Sequence, residues 1–168
     1  EHAWPSGVHR SSLVLVHFVI MGCGRVGARL ASTLDAVGHS VAIIDQDSKA
    51  FARLSPDFSG RRVTGVGMDR DCLRQANIKD AYAFAAVSSG DNSNIIAARV
   101  AREVFHVEHV VARIYDPTRA YLYERLGIPT VASVQRTAES VLRRMLPPDA
   151  SLIWSHPTGE VGLVNATP

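Results

Sequence analysis

A glycine-rich segment near the amino terminus constrains the fold of this chain more than any other feature. The pattern G-x-G-x-x-G is formed by Gly22, Cys23, Gly24, Arg25, Val26 and Gly27. It follows an apolar run that ends at Met21 and precedes an amphipathic segment that ends at Gly38. Glycines in this pattern, between a strand and a helix, allow the tight turn that opens a βαβ unit. The sequence therefore predicts such a unit at the start of an α/β fold.

Short apolar runs alternate with amphipathic segments along the chain, which is typical of a parallel sheet covered by helices. Six of these runs have the length of strands and lack polar alternation, as strands buried on both faces do. They are residues 18–21, 41–44, 62–65, 83–88, 110–114 and 130–132. We predict an α/β fold with a Rossmann-like, doubly wound, mostly parallel six-stranded sheet, followed by a short C-terminal β-hairpin from residues 151–154 and 161–164.

Polar residues and glycines mark where the predicted helices begin and end. The first helix spans about residues 26–37 and ends at Gly38, which can adopt the left-handed backbone conformation. A last helix spans about residues 137–146. Four helices between these two are expected to begin at side chains that accept hydrogen bonds from unpaired N–H groups. These N-cap residues are Ser48, Asp69, Asp91 and Asp116.

The same patterns divide the chain into three parts. Residues 1–16 show no usable periodicity and contain Pro5 and Gly7, so a disordered leader is expected there. Residues 17–148 form the predicted Rossmann-like nucleotide-binding domain. Residues 149–168 are expected to be a linker and the start of an incomplete C-terminal domain.

Composition and charge exclude several classes of protein. With 46% hydrophobic and 20% charged residues, the chain has enough apolar side chains for a globular core. The net charge is +2 and the basic residues are dispersed, so nucleic-acid binding is not expected. The longest apolar run, residues 13–21, is far shorter than the roughly 20 residues that span a bilayer, so direct membrane insertion is not expected. The two cysteines, Cys23 and Cys72, do not suggest a disulfide framework, which favours a reducing cytoplasm.

Asp45 is the predicted ribose-binding residue. It stands at the end of the second predicted strand, 18 residues after Gly27. A carboxylate there can accept hydrogen bonds from both ribose hydroxyls and repels a 2′-phosphate, which favours NAD, NADH or an adenine nucleotide over NADP. The phosphates are expected at the first turn of the helix that follows the glycines. Ser88 and Ser89 end the fourth predicted strand, where the ligand crevice of such a sheet opens.

The sequence contains no recognisable catalytic or metal-binding constellation. His39, His106 and His109 stand at predicted turns or surface positions, and no H-x-x-x-H or C-x-x-C spacing suggests a metal. An ordinary dehydrogenase also needs a substrate-binding domain, and 20 residues follow Pro148. We therefore predict neither catalysis nor a metal site.

Several further motifs follow one another along the chain. Among them are S-G-D-N-S-N at residues 89–94 and A-R-I-Y-D-P at residues 112–117. The others are the glycine-rich turn at 22–27 and the segments 38–41, 44–47, 65–78 and 126–128. In this order they resemble the TrkA N-terminal family, whose domain is also called the regulator-of-K⁺-conductance (RCK) or KTN domain. The resemblance covers about residues 17–148.

The resemblance implies a cytoplasmic, non-catalytic regulatory subunit of a potassium uptake system. Such a subunit binds NAD(H) or ATP/ADP and gates a membrane transporter by conformational change. Its implied partners are a membrane potassium transporter or channel subunit and further copies of itself, as a homodimer or ring. It would lie at the inner face of the plasma membrane through that partner. The helix at about 137–146 would serve either the dimer or its own sheet.

The resemblance also implies roles for individual residues. Arg25 would bind ligand phosphates, either in its own subunit or in a neighbouring one, and Arg113 would face either the phosphates or a subunit contact. The family usually carries Asp or Asn where Val66 stands, so the base is expected to be held by backbone groups alone. The remaining residues expected at the ligand are the other members of the glycine-rich turn and three residues at or after the ends of the second and third predicted strands: Gly22, Cys23, Gly24, Val26, Gly27, Gln46, Gly65 and Gly67.

Two other classes of function stay open on the sequence. The chain could be the nucleotide-binding half of an NAD-dependent oxidoreductase, with its substrate-binding part elsewhere. It could also be an assembly module whose nucleotide pocket is vestigial. Hydride transfer from NADH would support the first, and the absence of any ligand binding would support the second.

Overall fold

A parallel sheet forms the centre of the computed structural model, which describes residues 14–145, 150–155 and 162–166. Its strands run in the order β3-β2-β1-β4-β5-β6, and every neighbouring pair is parallel. This is the doubly wound order of a Rossmann-like α/β fold. The strands are β1 (His17–Met21), β2 (Ser40–Asp45), β3 (Arg61–Thr64), β4 (Ala81–Ala86), β5 (His109–Ile114) and β6 (Thr130–Ala132).

Helices connect the strands and pack on the sheet. Short 3₁₀ helices, Ser48–Arg53 and Ile78–Asp80, add to the connections after β2 and before β4. The α-helices are α1 (Arg25–Ala36), α2 (Arg70–Gln75), α3 (Asp91–Glu103), α4 (Pro117–Arg125) and α5 (Ser133–Met145).

Side chains of the central strands point alternately to the two faces of the sheet, and each face is buried. On one face, Val19 and Met21 pack in a cluster that includes Phe84 and Leu73. On the other face, Ile20 packs in a second cluster that includes residues of β2 and α1. Burial on both faces is why these strands show apolar runs instead of polar alternation.

The predicted sheet is confirmed, and it is parallel throughout rather than mostly parallel. Two predicted helix starts were wrong by one residue. Asp47, not Ser48, caps the first 3₁₀ helix, because its side chain accepts the N–H of Lys49. Gly90 precedes α3, and the Asp91 carboxylate accepts backbone N–H groups from the loop after β5 instead of capping.

The last helix begins earlier than the predicted residue 137. α5 starts at Ser133, directly after β6, and runs to Met145, beyond which residues 146–149 lie outside the described part. The apolar spacing that predicted the helix covers only its second half, so it could not mark where the helix begins.

Two further strands, β7 (Ala150–Ser155) and β8 (Gly162–Ala166), pair antiparallel in a sheet of their own. Residues 156–161, which would form the turn of the predicted hairpin, lie outside the described residues, so the hairpin stays a prediction. The predicted leader is described only from residue 14, and the carbonyl of Val16 accepts a hydrogen bond from the N–H of Ser40. None of the helices described is long and apolar enough to cross a bilayer.

Candidate nucleotide-binding site

An open crevice of about 680 Å³ lies at the carboxyl ends of the strands. The strand order reverses between β1 and β4, and the crevice lies at that point. Loops diverge to opposite faces of the sheet there, which is why ligands of open α/β folds bind at this position.

Eleven of the fourteen residues predicted for the site line this crevice. The side chain of Cys23, the helical Gly27 and the loop residue Val66 do not line it. The eleven are Gly22, Gly24, Arg25, Val26, Asp45, Gln46, Gly65, Gly67, Ser88, Ser89 and Arg113.

The three glycines of the turn differ in the space around them. Gly22 has a φ of +102°, and a Cβ there would lie 2.7 Å from the backbone nitrogen of Ser88. A Cβ on Gly27 would lie 1.8 Å from the carbonyl oxygen of Gly22. At Gly24 a Cβ would meet no atom within 4 Å. Gly22 and Gly27 therefore permit the turn itself, whereas Gly24 leaves open space on the crevice side.

The amino terminus of α1 faces the crevice through Gly24, Arg25 and Val26. The first N–H groups of a helix have no partners within the helix, and they give this end a partial positive charge. No acidic residue lies in the first turn of α1, and no side chain caps it. This helix end can therefore accept an anionic group such as a phosphate.

The carboxylate of Asp45 is held by two backbone groups. Its Oδ2 accepts the N–H of Cys23 at 2.6 Å, and its Oδ1 accepts the N–H of Asp47 at 2.9 Å. Each carboxylate oxygen can accept a second hydrogen bond. Asp45 is thus fixed in orientation and still able to accept both hydroxyls of a ribose.

Cys23 contributes to the site through its backbone rather than its thiol. The side chain is buried, and its Sγ–H donates to the carbonyl of Ala50 at 3.3 Å. Burial raises the pKa of the Cys23 thiol, and the nearby carboxylate of Asp45 raises it further. The thiol is therefore neutral near pH 7 and is not an activated nucleophile.

The part of the crevice beyond β3 has an apolar surface. Gly65 and Gly67 pack so closely that a Cβ would lie 2.3 Å from Sγ of Cys72 and 2.2 Å from Cγ of Met21, respectively. Met68 also lines this part, whereas Val66 points elsewhere and is 43% exposed. The thioethers of Met21 and Met68 line this part beside backbone groups, and the expectation that backbone alone holds the base stays a prediction.

The opposite part, beyond β4 and β5, is polar and is organised by Asn94. This residue is fully buried on α3. Its Oδ1 accepts the N–H and the hydroxyl of Ser88, at 2.9 and 2.7 Å. Its Nδ2 donates to the carbonyls of Ser88 and Arg113, at 2.9 and 2.8 Å. Because all four hydrogen bonds are made, Asn94 joins Ser88, which follows β4, and Arg113, near the end of β5, to the first turn of α3.

Arg113 enters the crevice from the end of β5. Its Nη2 donates to the carbonyl of Ser88 and to the hydroxyl of Tyr115, each at 2.9 Å. The guanidinium carbon also lies 4.6 Å from the centre of the Tyr115 ring. The sequence is compatible with Arg113 facing either phosphates or a subunit contact, and in the structure Arg113 lines the crevice.

Sequence reasoning missed eight lining residues. Of these, Tyr115 could have been found, because it follows Arg113 by two residues and so projects on the same side of the extended chain. Ser93 could have been found from its place in the first turn of α3. The other six could not have been found, because their place in the lining depends on the local path of the backbone. The eight are Met21, Ile44, Asp47, Met68, Val87, Gly90, Ser93 and Tyr115.

These groups are suited to binding an anionic, ribose-containing ligand. A helix amino terminus, an oriented carboxylate, hydroxyl groups and two arginines line one crevice. The described lining contains no histidine, lysine or cysteine side chain. Among the residues described, no group of three or more His, Cys, Asp or Glu side chains could hold a metal ion.

A family model described as the TrkA-N domain matches residues 18–134. The chain belongs to the TrkA-N family. A Streptomyces coelicolor protein named Trk system potassium uptake protein TrkA is 64% identical over 148 residues, which are 88% of this chain and 66% of that protein. A Methanothermobacter thermautotrophicus homologue of TrkA is 32% identical over 82% of this chain and 64% of its own length. This TrkA-N chain therefore spans just under two thirds of these two relatives.

Solved structures share the TrkA-N fold. The Shewanella denitrificans Kef C-terminal domain in its AMP-bound form aligns with a TM-score of 0.63 and 23% identity, over 79% of this chain and 83% of that chain. The GsuK channel bound to NAD aligns with a TM-score of 0.62 and 18% identity, over 84% of this chain and 25% of that chain. At these identities the similarity establishes the fold alone.

Proposed function

We propose that this TrkA-N chain is the nucleotide-binding part of a cytoplasmic regulatory subunit of a potassium uptake system. It binds NAD, NADH or an adenine nucleotide such as ATP or ADP, and it gates a membrane transporter by conformational change without catalysing a reaction. The 64% identity to the Streptomyces protein named Trk system potassium uptake protein TrkA supports the link to potassium transport.

The crevice is the observation on which the ligand proposal rests. The oriented carboxylate of Asp45 suits a ribose, and the adjacent amino terminus of α1 suits a phosphate. The open space at Gly24 lets a phosphate approach the backbone. We assign the adenosine to the part beside Asp45 and β3, and the phosphates to α1 and Arg25.

The rest of the ligand would extend toward Ser88, Ser89 and Arg113. The terminal phosphate of ADP or ATP, or the second nucleoside of NAD, would occupy this part. The Kef domain structure is an AMP-bound form and the GsuK channel structure is bound to NAD. These ligands support the proposal that this chain binds an adenine nucleotide. A 2′-phosphate would meet the carboxylate of Asp45, which disfavours NADP.

Assembly is the second part of the proposal. On α5, Val134, Val141, Leu142 and Met145 are all exposed, with Met145 exposed to 75%. An exposed apolar helix side of this kind is suited to contact with a second copy in a homodimer or ring. A ligand that binds one arrangement of the assembly more tightly would shift it, and the membrane transporter or channel subunit would respond.

Rubidium uptake into proteoliposomes tests this function. Vesicles would contain the Trk-type transporter of the same organism, with and without the chain on the cytoplasmic side. We expect nucleotide to change uptake only when the chain is present, and Asp45→Ala to abolish that dependence. Uptake that ignores both chain and nucleotide would refute the regulatory role. NADH oxidation in a mixture with carbonyl compounds would instead support an oxidoreductase.

A further inference from the structure

The side chain of Arg113 is only partly satisfied by the protein. A guanidinium carries five N–H groups. The two on Nη2 donate to Ser88 and Tyr115. The Nε–H is buried without a partner, and Nη1 has no hydrogen-bond partner among the residues described. The buried Nε–H does not face the crevice, so Nη1 is the group that offers unused charged donors there. None of the described carboxylates lies within 4 Å of the Arg113 guanidinium.

Tyr115 determines where these donors lie. Its hydroxyl accepts from Nη2, and its ring lies against the guanidinium plane, so both the rotation and the position of the group are restrained. An unrestrained arginine loses rotamer freedom when it binds an anion, and prior fixing lowers that cost.

Tyr115 is itself held in place by α3. Its backbone N–H donates to Oδ1 of Asp91 at 2.9 Å, and the next N–H, of Asp116, donates to Oδ2 at 3.2 Å. The loop after β5 is thereby tied to the first turn of α3. Tyr115 is 42% exposed, so it is not a core residue whose loss would unfold the chain.

We propose that Tyr115 is a positioning residue for ligand binding, which holds Arg113 so that its free Nη1–H groups meet the phosphates of the nucleotide. This inference rests on the proposed function and adds a residue that determines preference for anionic ligands. Tyr115 itself need not contact the phosphates. Its effect should scale with the negative charge of the ligand, because it acts through an arginine.

The test compares a charged and an uncharged ligand on the same variants. Binding of ADP is measured by isothermal titration calorimetry, and binding of adenosine by ligand-observed NMR titration. Tyr115→Phe removes the hydroxyl but keeps the ring, and Tyr115→Leu removes both. Tyr121→Phe is the matched control, because Tyr121 also lies against an arginine, Arg125, but on α4 outside the crevice.

We expect Tyr115→Phe to weaken ADP binding about three- to tenfold, the usual effect of one lost hydrogen bond, and Tyr115→Leu to weaken it further. Adenosine binding should not change in either variant, and Tyr121→Phe should leave both ligands unaffected. An equal loss for ADP and adenosine, no loss, or tighter ADP binding would each overturn the positioning role. Failure of the unsubstituted chain to bind either ligand would overturn the proposed function as well.

Discussion

The backbone N–H of Cys23 donates to the carboxylate of Asp45 at 2.6 Å. This hydrogen bond joins the glycine-rich turn after β1 to the end of β2. One side chain thus orients the turn that would receive the phosphates and offers the remaining acceptor sites to a ribose. Substitution of Asp45 should affect the two parts of the ligand site together.

Gly24 and Gly27 should respond oppositely to alanine. Gly24→Ala should fold with little change in thermal stability, because its Cβ meets no atom within 4 Å, yet it should bind nucleotide much more weakly because the methyl group occupies the phosphate approach. Gly27→Ala should lose stability, because its Cβ would lie 1.8 Å from a carbonyl oxygen. Thermal unfolding with and without ADP measures both effects. Normal ADP binding by Gly24→Ala would contradict the assignment of the phosphates.

Asn94→Ala should destabilise the chain more than most single substitutions. It removes a buried side chain with four hydrogen bonds and leaves the groups of Ser88 and Arg113 without partners. We expect a loss of about 3 kcal/mol or more in the free energy of unfolding, measured in urea. Asn92→Ala is the control, since Asn92 is exposed and accepts one hydrogen bond from Arg119. Equal losses for the two variants would show that the Asn94 network adds no special stability.

The Cys23 thiol should resist alkylation in the folded chain. Its burial, reinforced by Asp45, raises its pKa, so little thiolate forms near pH 7. Iodoacetamide should therefore label Cys72, which is partly exposed, before Cys23, and peptide mass spectrometry can separate the two. Faster labelling of Cys23 would contradict the geometry of the turn.

The raised pKa of the Cys23 thiol also makes the free energy of unfolding depend on pH. Above the ordinary pKa of a thiol, the unfolded chain releases the Cys23 proton while the folded chain retains it, so this group favours unfolding as the pH rises. Below that pH, Cys23 is protonated in both states and contributes no pH dependence.

The sequence predicted the fold well because the decisive signals are local. Apolar runs, the glycine-rich turn and Asp45 identify the strands and the edge where the crevice opens. Those signals say nothing about the path of the chain between elements, so the role of Asn94 across two strand ends and the pairing of Tyr115 with Arg113 could not be derived. They also could not separate a side-chain from a backbone role, which is why Cys23 was predicted at the ligand although only its N–H orients Asp45.

The most direct measurement is thermal unfolding of the chain with NAD⁺, NADH, NADP⁺, ADP and ATP. A ligand at 100 times its Kd adds about 2.7 kcal/mol to the free energy of unfolding. We expect this shift with NAD⁺, NADH or an adenine nucleotide, not with NADP⁺, and not in Asp45→Ala. Asp35→Ala is the control for loss of an aspartate that accepts a backbone N–H, because Asp35 accepts the N–H of Ser59 outside the crevice. This variant should keep the full shift with nucleotide. No shift with any nucleotide, or an undiminished shift in Asp45→Ala, would contradict nucleotide binding in this crevice.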